Sequence, residues 1–230
     1  MSLAQQPYVC QYCKKGFMKE GTLSVHVCEQ KRRALARTEK HVVIGYNTYN
    51  RFYKVTQNIK GEKSYDDFCK SPYYNAFIKF GSFVSNVNPL YPDKFIDFVL
   101  KSGVKLDHWC KDELYDQYLF DVLKVEPVES AVQRSLQTMM EWGDEHSAEF
   151  SHYFLYSSLN KAVYDIRNGN ISPWVILNTR SGKEMIQKMN DEQLDIIAPA
   201  FDVPFWVRKF REVPADVALV KEICREVGID

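Results

Sequence analysis

From residue 64 onward, apolar side chains recur at steps of three and four, the period of a helix with one buried face. Tyr73 to Val87 carries Phe77, Phe80 and Val84, and the segment opened by Pro92 carries Phe95, Ile96, Val99 and Leu100. Asp112 to Leu123 groups Leu114, Tyr115, Tyr118 and Val122. Pro127 opens a stripe of Val128, Val132, Leu136, Met139 and Met140, and His152 to Arg167 presents Leu155, Leu159, Val163 and Ile166. Pro204 to Arg211 reads as a short aromatic helix with Phe205, Trp206 and Phe210. Pro214 opens a last helix with Val217, Val220, Cys224 and Val227 in register. Start signals fall where the stripes begin. Ser64 with Asp67 forms a capping box with a short acid, Ser172-Pro173 supplies a cap and a first-turn proline, and Asn190 with Gln193 is a second capping pair.

Before residue 64 the pattern differs. Pro7 to Cys10 reads as a short strand, Cys13 to Phe17 as a turn and return strand with Gly16 at positive φ, and Lys19 to His26 as a helix. Residues 30–58 read as one helix rich in helix formers, bent near Gly45. Gly61-Glu-Lys breaks it. No sustained strand follows residue 20, and no internal repeat stands out. The expected fold is therefore mainly α: a small ββα unit over 1–29, a long basic helical linker over 30–63, and an all-α multi-helix body over 64–230. Residues 1–7 read as a loose polar lead.

Composition agrees. Of 230 residues 45% are hydrophobic, and only 10 Gly and 9 Pro are present, which argues against both an all-β sandwich and disorder. Charge adds something new. The formal net charge is zero, yet residues 1–63 hold twelve Lys/Arg against four Asp/Glu, and residues 64–230 hold eighteen against twenty-six. A basic arm on an acidic body points to an anionic partner for the arm, most often nucleic acid. The bland alternative is a solvated helix, or one docked on the chain's own acidic body. The N-terminus shows no charged region followed by an apolar run, so no signal peptide is expected. Strictly apolar runs are short, as in Trp174-Val-Ile-Leu177, so no membrane span is expected. Six cysteines in a chain this long do not make a disulfide framework, and a reducing, cytoplasmic setting is expected.

The most specific chemistry lies at Cys10-Gln-Tyr-Cys13, followed after twelve residues by His26-Val-Cys28. Zinc takes four tetrahedral ligands from Cys sulfur and His nitrogen, and a Cys-x-x-Cys turn brings two thiolates to one ion. Phe17 and Leu23 lie between the ligands, where a unit this small needs its few large apolar side chains. Over Cys10, Cys13, Phe17, Leu23 and His26 the segment resembles the zinc-finger family whose ligands are two Cys and two His. The fourth ligand departs from that pattern, because positions 30 to 32 are Gln30, Lys31 and Arg32. Cys28 is the available group. Two residues of helix rotate a side chain by about 200°, so the helix must end or unwind at Val27 if His26 and Cys28 share an ion. Water, or His41 folded back, are the alternatives.

The resemblance places Lys19, Thr22 and Val25 at base-reading positions. Val25 offers no hydrogen bond, and one finger reads only about 3 bp, so sequence reading by this finger alone is not expected. Non-specific contact with phosphates is expected instead, to DNA rather than RNA, through Lys14, Lys15, Lys19, Lys31, Arg32, Arg33, Arg37 and Lys40, with Tyr8 and Tyr12 available for stacking. The run His26-Val-Cys28-Glu29-Gln-Lys31-Arg32-Arg33 after such a finger also resembles finger-bearing proteins of large tailed bacteriophages, whose bodies are helical. That resemblance is firmest over residues 8–40. It implies action in the cytoplasm of an infected bacterium, in DNA replication, recombination or transcription.

No enzyme signature emerges. Thr179-Arg-Ser-Gly182-Lys183-Glu184 fails as a phosphate loop, because Leu stands at 177 and Glu follows the Lys. Asp107-His108-Trp109-Cys110 gathers reactive types but reads as core beside a helix. The expected function is that of a non-enzymatic zinc-binding accessory protein that engages nucleic acid through its arm, with the acidic body recruiting a protein. The alternative is a protein-interaction adaptor with a purely structural finger.

Overall fold

The structure is a computed structural model that describes residues 8–230. The polar lead of residues 1–7, with Pro7 at the head of the first expected strand, lies outside the described residues. The fold is mainly α. Among the described residues a single two-stranded antiparallel ribbon accompanies fifteen α-helices. The chain forms two compact units. One comprises the described part of Met1–Val87 with Leu100–Cys110, the other Asn88–Val99 with Lys111–Asp230.

In the first unit, β1 (Tyr8–Val9) pairs with β2 (Gly16–Phe17), and α1 (Glu20–Ser24) follows. The left-handed residue of the intervening turn is Lys14, with φ 61°, and not Gly16. Gly16 already sits in β2 opposite Val9, so the turn takes its positive φ two residues earlier.

The expected single helix over 30–58 is three pieces: α2 (Glu29–Leu35), a 3-10 turn (Ala36–Thr38) and α3 (Lys40–Gln57). The break is at Glu39, which is extended at φ −69° and ψ 134° and caps α3. α3 runs unbroken through Gly45. A Cβ there would stand 2.8 Å from the Phe77 carbonyl oxygen, and one at Gly81 would stand 2.1 Å from the His41 carbonyl oxygen. The two glycines let α3 and α5 (Tyr74–Val87) touch backbone to backbone. Around that crossing Tyr49, Phe68, Phe77, Phe80 and Trp109 are buried, with ring centroids 5.1 Å apart for Tyr49 and Phe68 and 5.3 Å for Phe80 and Trp109. Trp109 donates its indole N–H to the Val104 carbonyl at 2.8 Å, so the aromatic reading of 107–110 as core holds for this residue.

Between α3 and α5 lies α4 (Tyr65–Lys70), which carries the capping box expected at Ser64. The Asp67 amide donates to Ser64 Oγ at 3.1 Å, and the Ser64 amide donates to Asp67 Oδ2 at 3.1 Å.

The second unit runs through α6 (Pro92–Lys101, up to Val99), α7 (Asp112–Val125), α8 (Val128–His146) and α9 (Tyr153–Tyr156). It continues with α10 (Leu159–Arg167), α11 (Pro173–Asn178), α12 (Arg180–Gln187), α13 (Asp191–Ile197), α14 (Val203–Glu212) and α15 (Pro214–Glu226). The expected helix over 152–167 is divided at Ser157-Ser158, and Ser158 caps α10 by accepting from the Lys161 amide at 3.2 Å. That division changes which face is buried. Leu155, expected inward, is exposed, and Tyr153 and Phe154 are buried instead. Met140 is likewise exposed while Met139 and Trp142 are buried.

Ser172 and Asn190 cap α11 and α13 as expected. Gly182 is a packing residue, since a Cβ there would stand 2.6 Å from Thr179 Oγ1 and 2.8 Å from the Ile176 carbonyl oxygen. Two buried polar groups are compensated. Glu126 accepts from the two terminal guanidinium nitrogens of Arg134, at 2.6 and 2.9 Å, and Asp165 accepts from Tyr153 Oη at 2.6 Å and Lys161 Nζ at 2.5 Å. Among the described residues no helix is long and apolar enough to cross a membrane.

Candidate metal centre

Cys10 leaves β1 and Cys13 lies in the turn that follows. The Lys14 amide donates to the Cys10 carbonyl, and the Cys10 amide donates to the Lys15 carbonyl, both at 2.9 Å. This knuckle aims two sulfurs the same way. From the other side, α1 ends at Ser24, and Val25 closes it with φ −88° and ψ −3°. His26 and Val27 are outside any helix, and α2 begins only after Cys28. The helix therefore stops before the tight ligand step, with its last residue at Ser24 rather than at Val27.

The four groups converge. Cys13 Sγ is 3.3 Å from His26 Nε2, Cys10 Sγ is 4.0 Å from Cys28 Sγ, and all four ligand atoms lie within 4.8 Å of one another. Zinc bonds of about 2.3 Å to sulfur and about 2.0 Å to nitrogen give tetrahedral edges of roughly 3.5–3.8 Å. The cluster could hold a metal ion, and three sulfurs with one imidazole are a donor set that suits zinc. His41 is not part of it: its Nε2 lies 3.5 Å from Glu39 Oε2. Phe17 and Leu23 are half-buried beneath the site, and the Phe17 ring lies 4.7 Å from the His26 ring.

The thiols are electrostatically unequal. The Cys13 backbone amide draws Cys10 down to about 7, with the Tyr12 amide and the neighbouring thiols assisting and burial opposing. Cys13 is lowered by the Lys15 amide but raised on balance by burial and by the sulfurs of Cys10 and Cys28. One thiolate forms easily, and the next must form beside it. A cation among them removes that conflict.

Cys28 has a second task. It is the N-cap of α2, with φ −105° and ψ 165°, and its sulfur accepts from the Lys31 amide at 3.4 Å. Candidate ligand and helix start are one residue.

Downstream, Arg33 joins α2 to α4. It donates to the Cys69 carbonyl at 2.6 Å, pairs with Glu29, and stacks 4.2 Å from the Tyr74 ring centroid. Tyr65 Oη donates back to the Arg33 carbonyl at 2.6 Å. Arg33 is 32 positions from Tyr65 and 36 from Cys69, and no spacing rule announces the clamp.

Of the residues expected to meet phosphates, Arg33 is thus engaged within the protein. Lys31 is half-buried and donates to the His26 carbonyl at 3.4 Å. Lys14, Lys15, Lys19, Arg32, Arg37 and Lys40 are exposed. Lys14 donates to the Gln11 carbonyl at 2.8 Å, Lys15 lies 5.8 Å from the Phe17 ring, and Arg37 lies 5.2 Å from the Tyr65 ring. At the base-reading positions Lys19 is the extended residue before α1, and Thr22 and Val25 are exposed.

Comparison with family models, with curated proteins and with solved structures finds no match in any of the three. What the chain does is read from its own residues.

Proposed function

We propose that this is a zinc-binding accessory protein whose N-terminal arm engages nucleic acid without reading its sequence. One observation carries the reading: Cys28 is at once a member of the candidate metal cluster and the N-cap of the helix that bears Lys31 and Arg32. The metal then fixes the direction in which the basic helix leaves the finger. Lys14, Lys15, Lys19, Arg32, Arg37 and Lys40 supply the phosphate contacts, Lys31 adds charge beside the metal, and Arg33 holds the helix in place. DNA is the expected polymer. The remainder of the chain, with eighteen Lys/Arg against twenty-six Asp/Glu over residues 64–230, recruits a protein and carries no reaction of its own. The setting implied by the resemblance at residues 8–40 is a phage-infected bacterial cell.

The test is binding of zinc-loaded and chelated protein to random-sequence DNA and RNA across a salt series. Affinity should fall steeply with salt, since each phosphate contact releases counterions, and it should fall again on chelation. No affinity at low salt would reject the reading in favour of a protein-interaction adaptor. A specific observation favours that second reading: Val9, Met18, Val25 and Val27 are all exposed on the finger. A pull-down with nuclease present separates the two, because an adaptor keeps its partner.

A further inference from the structure

We propose that a cleft between the metal knuckle and α4 takes one nucleotide of an unpaired nucleic-acid strand. The inference rests on the nucleic-acid reading above and narrows it from any phosphate backbone to a single strand.

The cleft has a volume of about 570 Å³ and three walls: the knuckle with Tyr12 and Lys14, α2 and its 3-10 turn with Gln30 and Arg37, and α4 with Tyr65. A concave site of this size suits a small planar group with a charged end. Ala34, one helical turn beyond Gln30, leaves the middle open. The walls cannot drift apart freely. Cys28 ties the finger to α2, and the Arg33 and Tyr65 clamp ties α2 to α4.

The lining supplies what a nucleotide needs. Tyr12 offers an aromatic face, and base stacking on such a face holds unpaired bases without regard to sequence, while the Tyr65 ring, packed beside Arg37, Tyr46 and Phe68, shapes the opposite wall. Tyr65 is anchored through its hydroxyl, so its ring is already positioned. Gln30 carries an amide that can both donate to and accept from a base edge. Lys14 and Arg37 remain for the phosphate, neither paired with a carboxylate among the described residues. The one acid on the lining, Asp66, is neutralised by Lys70. A base inside a duplex is stacked between its neighbours and cannot enter such a cleft, whereas a splayed base can.

The experiment uses the zinc-loaded full chain and fluorescence anisotropy at low salt. Probes are a mixed-sequence single-stranded DNA oligonucleotide and the same sequence as a duplex. Tyr12→Ala should weaken single-strand binding by about tenfold and leave duplex binding unchanged, and Arg37→Gln should weaken single-strand binding more than duplex binding. Tyr12→Phe, which keeps the ring, should bind as wild type does. Lys19→Gln, outside the cleft, should weaken both probes alike. Zinc content and circular dichroism confirm that each variant is folded. If neither cleft variant changes single-strand affinity, or both weaken the two probes equally, the cleft is not a nucleotide site while the nucleic-acid reading stands. A free nucleoside monophosphate that displaces the strand at equal concentration would reassign the cleft to a small ligand and overturn the proposal. Wild-type protein that binds neither probe overturns both readings.

Discussion

At the scale of single residues, Cys28 separates two effects that are usually confounded. Serine is a good helix cap but a poor zinc ligand, so Cys28→Ser should keep α2 while losing the metal. Native protein should carry about one equivalent of zinc by plasma emission spectrometry. Cys10→Ser and Cys13→Ser should lose most of it, and Cys28→Ser should do so with little change in helical circular dichroism. Acidification should release the ion, because protons compete with the metal at every thiolate. Gly81 gives a second residue-scale prediction with opposing terms. Alanine gains about 1 kcal/mol of helix propensity, but its Cβ would meet the His41 carbonyl oxygen at 2.1 Å. Backbone cannot yield as a flexible side chain can, so the clash wins. Gly81→Ala should cost about 1–3 kcal/mol in a denaturant titration, and an unchanged midpoint would reject the close crossing.

At the scale of elements, helix starts and joints decide the architecture. Arg33 holds α2 to α4 through a planar fork that serves the Cys69 carbonyl and Glu29 at once. Lysine keeps the charge but not the fork, so Arg33→Lys should cost about 1–2 kcal/mol in the same titration. The α4 cap gives a pH dependence. Asp67 is held below the ordinary aspartate range by hydrogen bonds from the Ser64 side chain and backbone, with Lys63 and Lys70 adding. A depressed carboxyl stabilises the fold fully above its usual titration range, and that contribution is lost as pH falls through the depressed value. Asp67→Asn should flatten this acid limb of the stability profile and leave neutral-pH helicity largely intact.

These same elements show what could be read beforehand. Caps at Ser64, Ser172 and Asn190 were legible because a cap is local chemistry over three or four residues. The convergence of Cys10, Cys13, His26 and Cys28 was legible for the same reason, including the need for an early helix end. The packing role of Gly45 was hidden, since it depends on Phe77, which lies in another helix. The stripe with Leu155 was misread because Ser157-Ser158 resets the helical phase. The Arg33 clamp and the cleft lining of Tyr12, Gln30 and Tyr65 were invisible, being assembled from segments that only folding brings together.

At the scale of the molecule, the two units have separate cores and the candidate metal centre belongs to the first alone. Of the four tryptophans, Trp142, Trp174 and Trp206 are buried in the second unit. Chelation should therefore open residues 8–35 to limited proteolysis while leaving the near-ultraviolet signal of those three indoles unchanged. A collapse of that signal would mean that the second unit depends on the metal. The charge division along the chain adds a solution property. With formal net charge zero but opposite excesses at the two ends, the isolated protein should self-associate at low salt and disperse as salt screens the arms, as light scattering would show.

Only one residue separates His26 from Cys28, and α2 begins directly after Cys28. The candidate metal centre would therefore act as the zero mark of a dial whose graduations are the side chains of that helix. One residue inserted after Cys28 would turn each later position by about 100° about the helix axis. Arg33 would then swing off Cys69 and Tyr74, and Arg37 would leave the cleft wall. Substitutions on the helix alter single side chains, but a change of length at this one joint re-aims them all.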